Sequence, residues 1–496
     1  MLSEHAVGAR TGQKSLRWRR IGVIDVGSNS VRLVVHDVRG RAMQQRFNEK
    51  VLAGLGRGLG ASGNLNQEGV DLAVAALIRF AAIIKAQRVD TLLAFATAAV
   101  REARDGEAFC QRVKKEAGLT LRILSGDDEA RFAAQGVLAG SPGVDGVAGD
   151  LGGSSLELAR LGGGYYEGGS TYPLGPLALE TGASFNEDKI MARIREVLAG
   201  APELKKGADV FFAVGGAWRS IAGIHMELMH APLHMLQNYE MDAPRLVTLL
   251  GELMVGKKHT GLVEDIAKRR SATIPYAAAV LKAVIDLGRI KTVMVSSYGV
   301  REGIIFDTLS ASERLEDPLE AGLDALVAAD DQGAEFGRAL VKWVSEAAPY
   351  TLPPRLASAA CRLVDIGALL HPDHRADLAF DLVARAPLPG LTHRDRAALA
   401  LAVATRFKRG VRNNVSEALL DGDTAGRARA LGSLMRLAAD FSGRSAALLK
   451  HATLLCDGTK IELKVSSGYA ALVSESVQRR LQHAALELGM DYALVS

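Results

Sequence analysis

The chain of 496 residues has ordinary charged (23%) and hydrophobic (48%) content and a formal net charge of +4. This length predicts roughly three or four domains, and we identify no apolar run of membrane-spanning length. Five cations and one acid in residues 1–20 account for the whole net charge, which argues against a general nucleic-acid binder. The basic N-terminus lacks an apolar stretch and the three cysteines lie far apart. We therefore expect a cytoplasmic protein without a signal peptide, disulfide framework or zinc knuckle.

The first predicted element is a hairpin whose polar turn begins at Asp25 and separates the apolar runs 21–24 and 31–35. The candidate binding residues of this turn are Gly27, Ser28, Asn29 and Ser30. Such a turn presents backbone N–H groups and hydroxyls to a phosphate, although a hairpin with Gly and Asn needs no ligand. Asp25 would repel a phosphate, so we expect a cation, Mg²⁺, between this carboxylate and the substrate.

The elements that follow continue an α/β pattern. A glycine-rich loop at 54–60 carries one cation and is interpreted as a flexible linker. Apolar residues at helical spacing predict a helix over 70–84 capped by Asn66, and 91–96 is typical of a buried strand. Arg101 follows just beyond the end of that strand, where ligands of open α/β sheets bind.

A strand predicted at 119–124 leads into a helix that begins at Ser125. The first turn of this helix contains Asp127, Asp128 and Glu129. Acidic side chains there cap the helix and offset its dipole. A carboxylate at this sheet edge would also be placed to act as a general base. Both interpretations remain open on the residues alone.

A second strand–turn–strand pattern contains Asp150, which follows Asp25 by 125 residues, about the size of one domain. Its candidate binding residues are Gly152, Gly153, Ser154 and Ser155. Two such turns that face each other would clamp a phosphate chain from both sides. Further on, Gly215 and Gly216 follow a buried strand and open a helix, whose N-terminal N–H groups favour anions. A last strand is predicted at 292–295, followed by a helix to about 309.

From residue 313 the pattern becomes mostly helical, with a β-hairpin predicted at 453–465 and a helix at 475–488. One helix ends in a cluster of cations that includes Lys408, Arg409 and Arg412. These side chains would complement the helix dipole, and they could also track a chain of phosphates. The pattern along the chain predicts four regions, which span residues 20–135, 136–312, 313–425 and 426–496.

Over residues 20–310 the chain resembles the exopolyphosphatase and guanosine pentaphosphate phosphatase family. The motifs that carry the resemblance occur in the family's order: Asp25-x-Gly-Ser-Asn-Ser, Arg101 in Thr-x-x-x-Arg-Glu-Ala, Ser125-Gly-x-x-Glu-Ala-Arg, Asp150-x-Gly-Gly-x-Ser-x-Glu and Ser296-x-x-Gly-x-Arg-Glu-Gly. The resemblance implies an α/β fold of two actin-like (ribonuclease-H-like) domains with an interdomain cleft. A mostly helical HD-like region and a small C-terminal α+β domain would follow.

The resemblance also implies roles for individual residues. Glu129 would be the general base that activates water, and Arg101 would neutralise the terminal phosphate. Asp150 and Glu157 would hold Mg²⁺, in addition to Asp25, and the two turns would donate to phosphate oxygens. The implied reaction is hydrolysis of the terminal phosphoanhydride of linear inorganic polyphosphate, with guanosine pentaphosphate as the alternative substrate. We also expect a homodimer.

Two positions depart from the family pattern. Ser154 stands where the second turn usually has a third glycine, and Val364 stands where an HD-type metal motif has its histidine. A metal site without a core ligand is a poor catalyst, so we expect no hydrolysis by residues 313–496. An ATP-dependent kinase or chaperone of the same superfamily would use the same turns. A non-catalytic polyphosphate or nucleotide sensor would not need Glu129.

Overall fold

The computed structural model describes residues 17–180, 185–327 and 331–495. Most of the basic N-terminal segment, residues 1–16, lies outside the described residues. Two mixed β-sheets are followed by a mostly helical region that ends in a third, three-stranded sheet.

The first sheet is formed by β-branched runs that alternate with amphipathic helices. Its unit contains β1 (Arg19–Val26), β2 (Val31–Arg39), β3 (Ala42–Val51), α1 (Leu59–Ser62), α2 (Gln67–Ala86), β4 (Thr91–Ala96), α3 (Ala98–Glu102), α4 (Gly106–Ala117), β5 (Arg122–Ile123) and α5 (Gly126–Gly140).

The second unit repeats this order with insertions. It contains β6 (Gly146–Leu151), β7 (Leu156–Gly162), β8 (Tyr165–Tyr172), α6 (Pro176–Leu179), α7 (Glu187–Leu198), α8 (Pro202–Lys205), β9 (Val210–Val214), α9 (Gly216–Leu228), β10 (Glu240–Asp242), α10 (Ala243–Val255), α11 (Thr260–Ala267), a 3-10 helix (Lys268–Thr273), α12 (Ile274–Gly288), β11 (Thr292–Val295) and α13 (Val300–Asp307).

The two sheets share one topology. The first has the strand order β3-β2-β1-β4-β5, and the second has β8-β7-β6-β9-β11 with β10 added at its edge. In each sheet the first three strands are antiparallel, while the first and fourth are parallel. This equivalence confirms the repeat predicted from Asp25 and Asp150.

The C-terminal region contains α14 (Ala311–Leu315), α15 (Pro318–Val327), α16 (Asp331–Trp343), a 3-10 helix (Ser345–Tyr350), α17 (Pro354–Arg362), α18 (Arg375–Ala384), α19 (His393–Phe407), α20 (Asn414–Leu419), α21 (Gly422–Ser442), α22 (Ala446–Leu449), β12 (Ala452–Cys456), β13 (Lys460–Val465), a 3-10 helix (Ala470–Leu472), α23 (Glu475–Leu488) and β14 (Asp491–Val495). One hydrophobic core contains residues from Leu319 to Ala485, together with Leu233 of the second unit. The boundary predicted at 425 therefore does not separate two cores.

Most predicted elements are present, whereas β3, α4, β10 and α10 to α12 were not predicted. Two further strands also differ from the prediction. The strand predicted at 119–124 is reduced to β5, because its register with β4 covers only Arg122 and Ile123. The last strand, β14, was not predicted, and it pairs in parallel with β13 across the intervening helix α23. Because two parallel strands are joined by a long crossover and not by a tight turn, the sequence carries no local turn signal for β14.

Helix α13 returns from the second unit to the first. Its residues Ile304, Ile305 and Phe306 pack with Phe132 of α5 and with Ile21 and Val23 of β1 in one hydrophobic cluster. The two units are therefore joined at the back of the cleft, while the carboxyl ends of β1 and β6 lie at its floor.

One helical stretch in the described part of the chain, 260–288, is apolar and long enough to cross a membrane by length and composition alone. However, 61% of its apolar window is buried, and Ala277–Leu281 belong to the core of the second unit. Such burial is typical of a core helix.

Candidate active site

The two predicted phosphate turns face each other across the cleft between the sheets. Each turn is closed by a hydrogen bond from its glycine N–H to the carbonyl oxygen three residues on, at 3.0 Å from Gly27 and 2.9 Å from Gly152. The hydroxyl oxygens of Ser28 and Ser154 lie 3.1 Å apart. The serine that replaces the third glycine thus makes the side-chain contact between the turns.

The cleft encloses about 380 Å³, within the range of small-molecule sites. It is lined by most of the predicted binding residues: Gly27, Ser28, Asn29, Ser30, Gly152, Gly153, Ser155, Gly215 and Gly216. The glycine at 215 has a φ of +108°, and a Cβ there would lie 2.6 Å from the carbonyl oxygen of Leu151. Only glycine fits this position, which opens helix α9 with its N–H groups toward the cleft.

The glycine-rich loop at 54–60 supports the first turn. The N–H of Gly56 donates to the carbonyl oxygen of Ser28 at 2.8 Å, and the N–H of Gly54 donates to that of Asn29 at 3.1 Å. The interpretation of this loop as a flexible linker is therefore wrong, because it is held against the turn by backbone hydrogen bonds.

Cross-strand register places charged side chains in two equivalent rows. In the first sheet, Asp25 pairs with Arg32, and Arg32 pairs with Lys50. In the second sheet the same positions are Asp150, Glu157 and Thr171. Side chains in register on neighbouring strands share one face of the sheet. The two rows therefore differ in charge while their backbones are equivalent.

Glu129 lies at the start of α5 with 5% of its surface exposed. The Ser125 hydroxyl caps this helix by accepting the N–H of Asp128 at 3.0 Å. A Cβ on Gly126 would lie 2.3 Å from the methyl group of Thr171, so glycine lets the helix start approach β8. This approach brings the Glu129 carboxylate into the cleft beside the carboxylate row of the second sheet.

Arg101 contacts the predicted base and not the cleft. Its guanidinium forms an ion pair with Glu129 and donates to the carbonyl oxygen of Leu124 at 2.8 Å. Arg101 is not among the described residues that line the cleft. The ion pair holds the Glu129 carboxylate in place, and the contact of Arg101 with a terminal phosphate stays a prediction.

The carboxylates of the cleft are held in an environment that disfavours their charge. Burial raises the pKa of Glu129, although the Arg101 ion pair opposes the shift. Burial raises the pKa of Asp150 to about 6, against the opposing charge of Arg219. Burial also raises the pKa of Glu157, and the nearby carboxylates of Glu129 and Asp150 add to this effect.

The donor set fits a hard divalent cation. Asp25, Asp150 and Glu157 all line the cleft, and Mg²⁺ takes oxygen ligands from one or two carboxylates together with substrate phosphates. Burial raises the pKa of Asp25, Asp150 and Glu157 because it disfavours their charged forms, and a bound cation would offset this cost. No described group of three or more His, Cys, Asp or Glu side chains is arranged as a ready-made metal site. A cation bound here would therefore depend on substrate oxygens for part of its coordination.

The structure adds a set of cations that sequence reasoning did not select. Six basic side chains line the same cleft: Arg32, Lys50, Arg219, Arg269, Arg270 and Arg301. One of them, Arg301, lies 3.7 Å from Asp25. Burial and the nearby cations lower the pKa of Lys50 to about 8. The sequence could have indicated Arg32, because Arg32 lies on the strand predicted to pair with that of Asp25. It could not indicate Arg269 and Arg270, because they belong to a 3-10 helix far from both turns along the chain.

The predicted basic cluster of the helical region lies outside the residues that line this cleft. Lys408 and Arg412 are exposed, and Arg409 forms an ion pair with Glu487 at 3.6 Å. Its contact with a phosphate chain stays a prediction.

In the HD-like motif, the residue beside Val364 is paired with guanidinium groups. Asp365 is 8% exposed and lies 3.4 Å from Arg406 and 3.7 Å from Arg444. Such pairing compensates a buried carboxylate without a metal. The absence of hydrolysis by this region stays a prediction.

Comparison with known proteins agrees with this geometry. The fold is similar to a Ppx/GppA family member from Aquifex aeolicus (TM-score 0.52, 20% identity, 59% of this chain and 97% of that chain). It is also similar to an exopolyphosphatase from Cytophaga hutchinsonii (TM-score 0.53, 23% identity, 59% and 99%). The duplicated sheets and their cleft therefore define an actin-like α/β protein.

Family models match most of the chain. Residues 33–312 match the Ppx/GppA phosphatase family, and residues 336–495 match the C-terminal region of exopolyphosphatases. The chain belongs to the Ppx/GppA phosphatase family, as the motifs predicted.

Relatives with assigned names fall into two groups. The chain is 37% identical over 146 residues to exopolyphosphatase 1 of Mycobacterium tuberculosis, which covers 28% of this chain and 42% of that protein. The chain thus matches less than half the length of that relative. It is 24% identical over 479 residues to the guanosine-5'-triphosphate,3'-diphosphate pyrophosphatase of Vibrio vulnificus, which covers 90% of this chain and 91% of that protein.

Proposed function

We propose that the protein is an exopolyphosphatase that hydrolyses the terminal phosphoanhydride of linear inorganic polyphosphate. The observation that carries this proposal is the set of cations that line the cleft, which includes Arg32, Lys50, Arg219, Arg270 and Arg301. A single phosphoryl group needs two or three such partners, whereas a chain with one negative charge per phosphate engages the whole set.

The carboxylate side of the cleft supports hydrolysis. Water attacks the terminal phosphorus atom while Glu129 accepts one of its protons. As the new P–O bond forms, the bond from phosphorus to the bridging oxygen breaks, and that oxygen keeps the electron pair. The products are orthophosphate and a chain shorter by one phosphate. The Arg101 ion pair orients the Glu129 carboxylate, and the two turns donate to the oxygens of the reacting phosphate.

Magnesium belongs to this proposal. Asp150 and Glu157 would hold the ion beside the second turn, with Asp25 on the opposite side of the cleft. When bound, Mg²⁺ supplies charge neutralisation on phosphate oxygens. We further propose a cytoplasmic homodimer as the working form of the enzyme.

Guanosine pentaphosphate is the second candidate substrate. The similarity to the Vibrio vulnificus protein, over 90% of this chain, favours it, and its 5'-triphosphate ends in the same phosphoanhydride. A phosphate-release assay on polyphosphates of defined length and on guanosine pentaphosphate distinguishes the two. A kcat/KM that rises with chain length and exceeds that for guanosine pentaphosphate supports the first proposal, and the opposite order supports the second.

A control separates hydrolysis from binding. Glu129→Gln is compared with Asp127→Asn, an exposed acid in the same helical turn. The sensor alternative is supported if neither the wild-type protein nor any variant releases phosphate while polyphosphate still binds.

A further inference from the structure

A buried pair of amides connects the helical region to the cleft. Gln237 and Asn238 are 7% and 5% exposed, and they lie between β11 and the segment that precedes α19. The Asn238 Nδ2 group donates to the carbonyl oxygen of Leu391 at 3.1 Å. This contact joins the second unit directly to the C-terminal region.

The same pair reaches the cleft on its other side. The Gln237 amide donates through Nε2 to Asn238 Oδ1 at 2.8 Å, and its Oε1 accepts the N–H of Ser297 at 2.7 Å. Ser297 lines the cleft together with Arg301. An unbroken series of hydrogen bonds therefore runs from Leu391 to Ser297, in the loop that leads into α13 and its residue Arg301.

Two features show that the sequence encodes this arrangement of the two amide side chains. Asn238 has a φ of +57°, a left-handed conformation that asparagine tolerates and most residues avoid. The Ser141 hydroxyl donates a second hydrogen bond to its Oδ1 at 2.8 Å. Asn238 Oδ1 therefore has two donors, Gln237 Nε2 and the Ser141 hydroxyl, and loss of the Ser141 donor alone leaves the path from Leu391 to Ser297 unbroken.

The helical side of the contact is also anchored. Arg355 forms an ion pair with Asp317 at 2.6 Å and donates to the carbonyl oxygen of Gly390 at 2.9 Å. The Gly390 N–H donates to the carbonyl oxygen of Gly140 at 2.8 Å. The residue before Leu391 is therefore fixed from both sides.

We infer that Gln237 and Asn238 are positioning residues through which the docked helical region holds the segment 296–301, the loop and first residues of α13, and places Arg301 in the cleft. This inference rests on the proposed function for its kinetic consequence. Because Arg301 contacts the substrate chain before and during reaction, a loosened loop should raise KM for polyphosphate more than it lowers kcat.

The test compares Asn238→Gly with Ser141→Ala in the full chain. Glycine tolerates the left-handed backbone while removing the contact to Leu391, whereas Ser141→Ala removes a donor that is off the path to Ser297. We expect Asn238→Gly to raise KM by about three- to thirtyfold with kcat little changed. We expect hydrogen exchange of the 296–301 amides to become faster in this variant, with Ser141→Ala close to wild type.

Arg355→Gln provides a second variant at a half-exposed position, in case Asn238→Gly does not fold. It should shift KM and amide exchange in the same direction by a smaller factor. Unchanged exchange of 296–301 in both variants, or equal effects from Ser141→Ala, would overturn the inference. Hydrogen exchange needs no substrate, so a failure of the proposed function is distinguishable from a failure of this one.

Discussion

The two sheets of the cleft have the same topology but different side chains at equivalent positions. Both rows begin with an aspartate, Asp25 and Asp150, at the end of the central strand. The neighbouring strand then places Arg32 in one sheet and Glu157 in the other. A duplicated backbone has thus been divided between two tasks. In the proposed mechanism, Arg32 and Lys50 of one row would bind phosphate oxygens, whereas Asp150 and Glu157 of the other would hold a metal ion, with Glu129 of α5 beside them to activate water.

The largest expected effect follows from removing Glu129, the proposed base beside Asp150 and Glu157. Glu129→Gln should lower kcat for polyphosphate by about two to four orders of magnitude, the usual contribution of a general base. KM should change little, because the basic side chains that line the cleft are intact. Steady-state phosphate release measures both constants, and a kcat close to wild type would remove Glu129 from the mechanism.

The next effect concerns the metal. Asp150→Asn should raise the magnesium concentration for half-maximal rate by about tenfold or more, because a cation ligand is lost. Glu157→Gln should act in the same direction. A magnesium titration of the phosphate-release rate measures this shift, and identical curves for wild type and both variants would contradict the assignment.

The cation row predicts a smaller effect at Lys50. Lys50→Gln should raise KM for polyphosphate about fivefold, corresponding to ~1 kcal/mol for a partly screened ion pair. The exposed Lys85→Gln serves as the matched control. If the polyphosphate chain leaves the cleft at a point away from Lys50, Lys50→Gln and Lys85→Gln will show the same KM.

The lowered pKa of Lys50 adds a pH dependence. Lysine is charged below its pKa, so Lys50 carries its charge below pH of about 8 and loses it as the pH rises further. KM of the wild-type protein should therefore rise above this pH. Lys50→Arg should flatten the rise because arginine stays protonated, and a wild-type KM that falls over this range would have the wrong sign.

The smallest effect is expected at the exposed cluster outside the cleft. Replacing Lys408, Arg409 and Arg412 together by alanine should weaken the use of long polyphosphate, with the largest difference from wild type at low salt, because salt screens the contacts that these cations make. Short substrates should be hydrolysed nearly as before. KM measured against chain length decides this, and an equal change for short and long chains would assign the cluster a structural role.

The sequence predicted the parts of the site that lie within single motifs. The two turns, the capped helix start at Ser125 and the repeat of the fold follow from local composition and spacing. The cations at Lys50 and Arg270 could not be predicted, because strand register and a distant 3-10 helix bring them together. The contact of Arg101 with Glu129 likewise depends on how α3 packs against the start of α5.

The division between the rows is tested most directly at Arg32 and Glu157, which occupy equivalent positions. The measurement is kcat, KM and the magnesium requirement for polyphosphate hydrolysis by Arg32→Gln and by Glu157→Gln. The division predicts that Arg32→Gln mainly raises KM with an unchanged magnesium requirement, while Glu157→Gln lowers kcat and raises that requirement. The same pattern of change in both variants would contradict it.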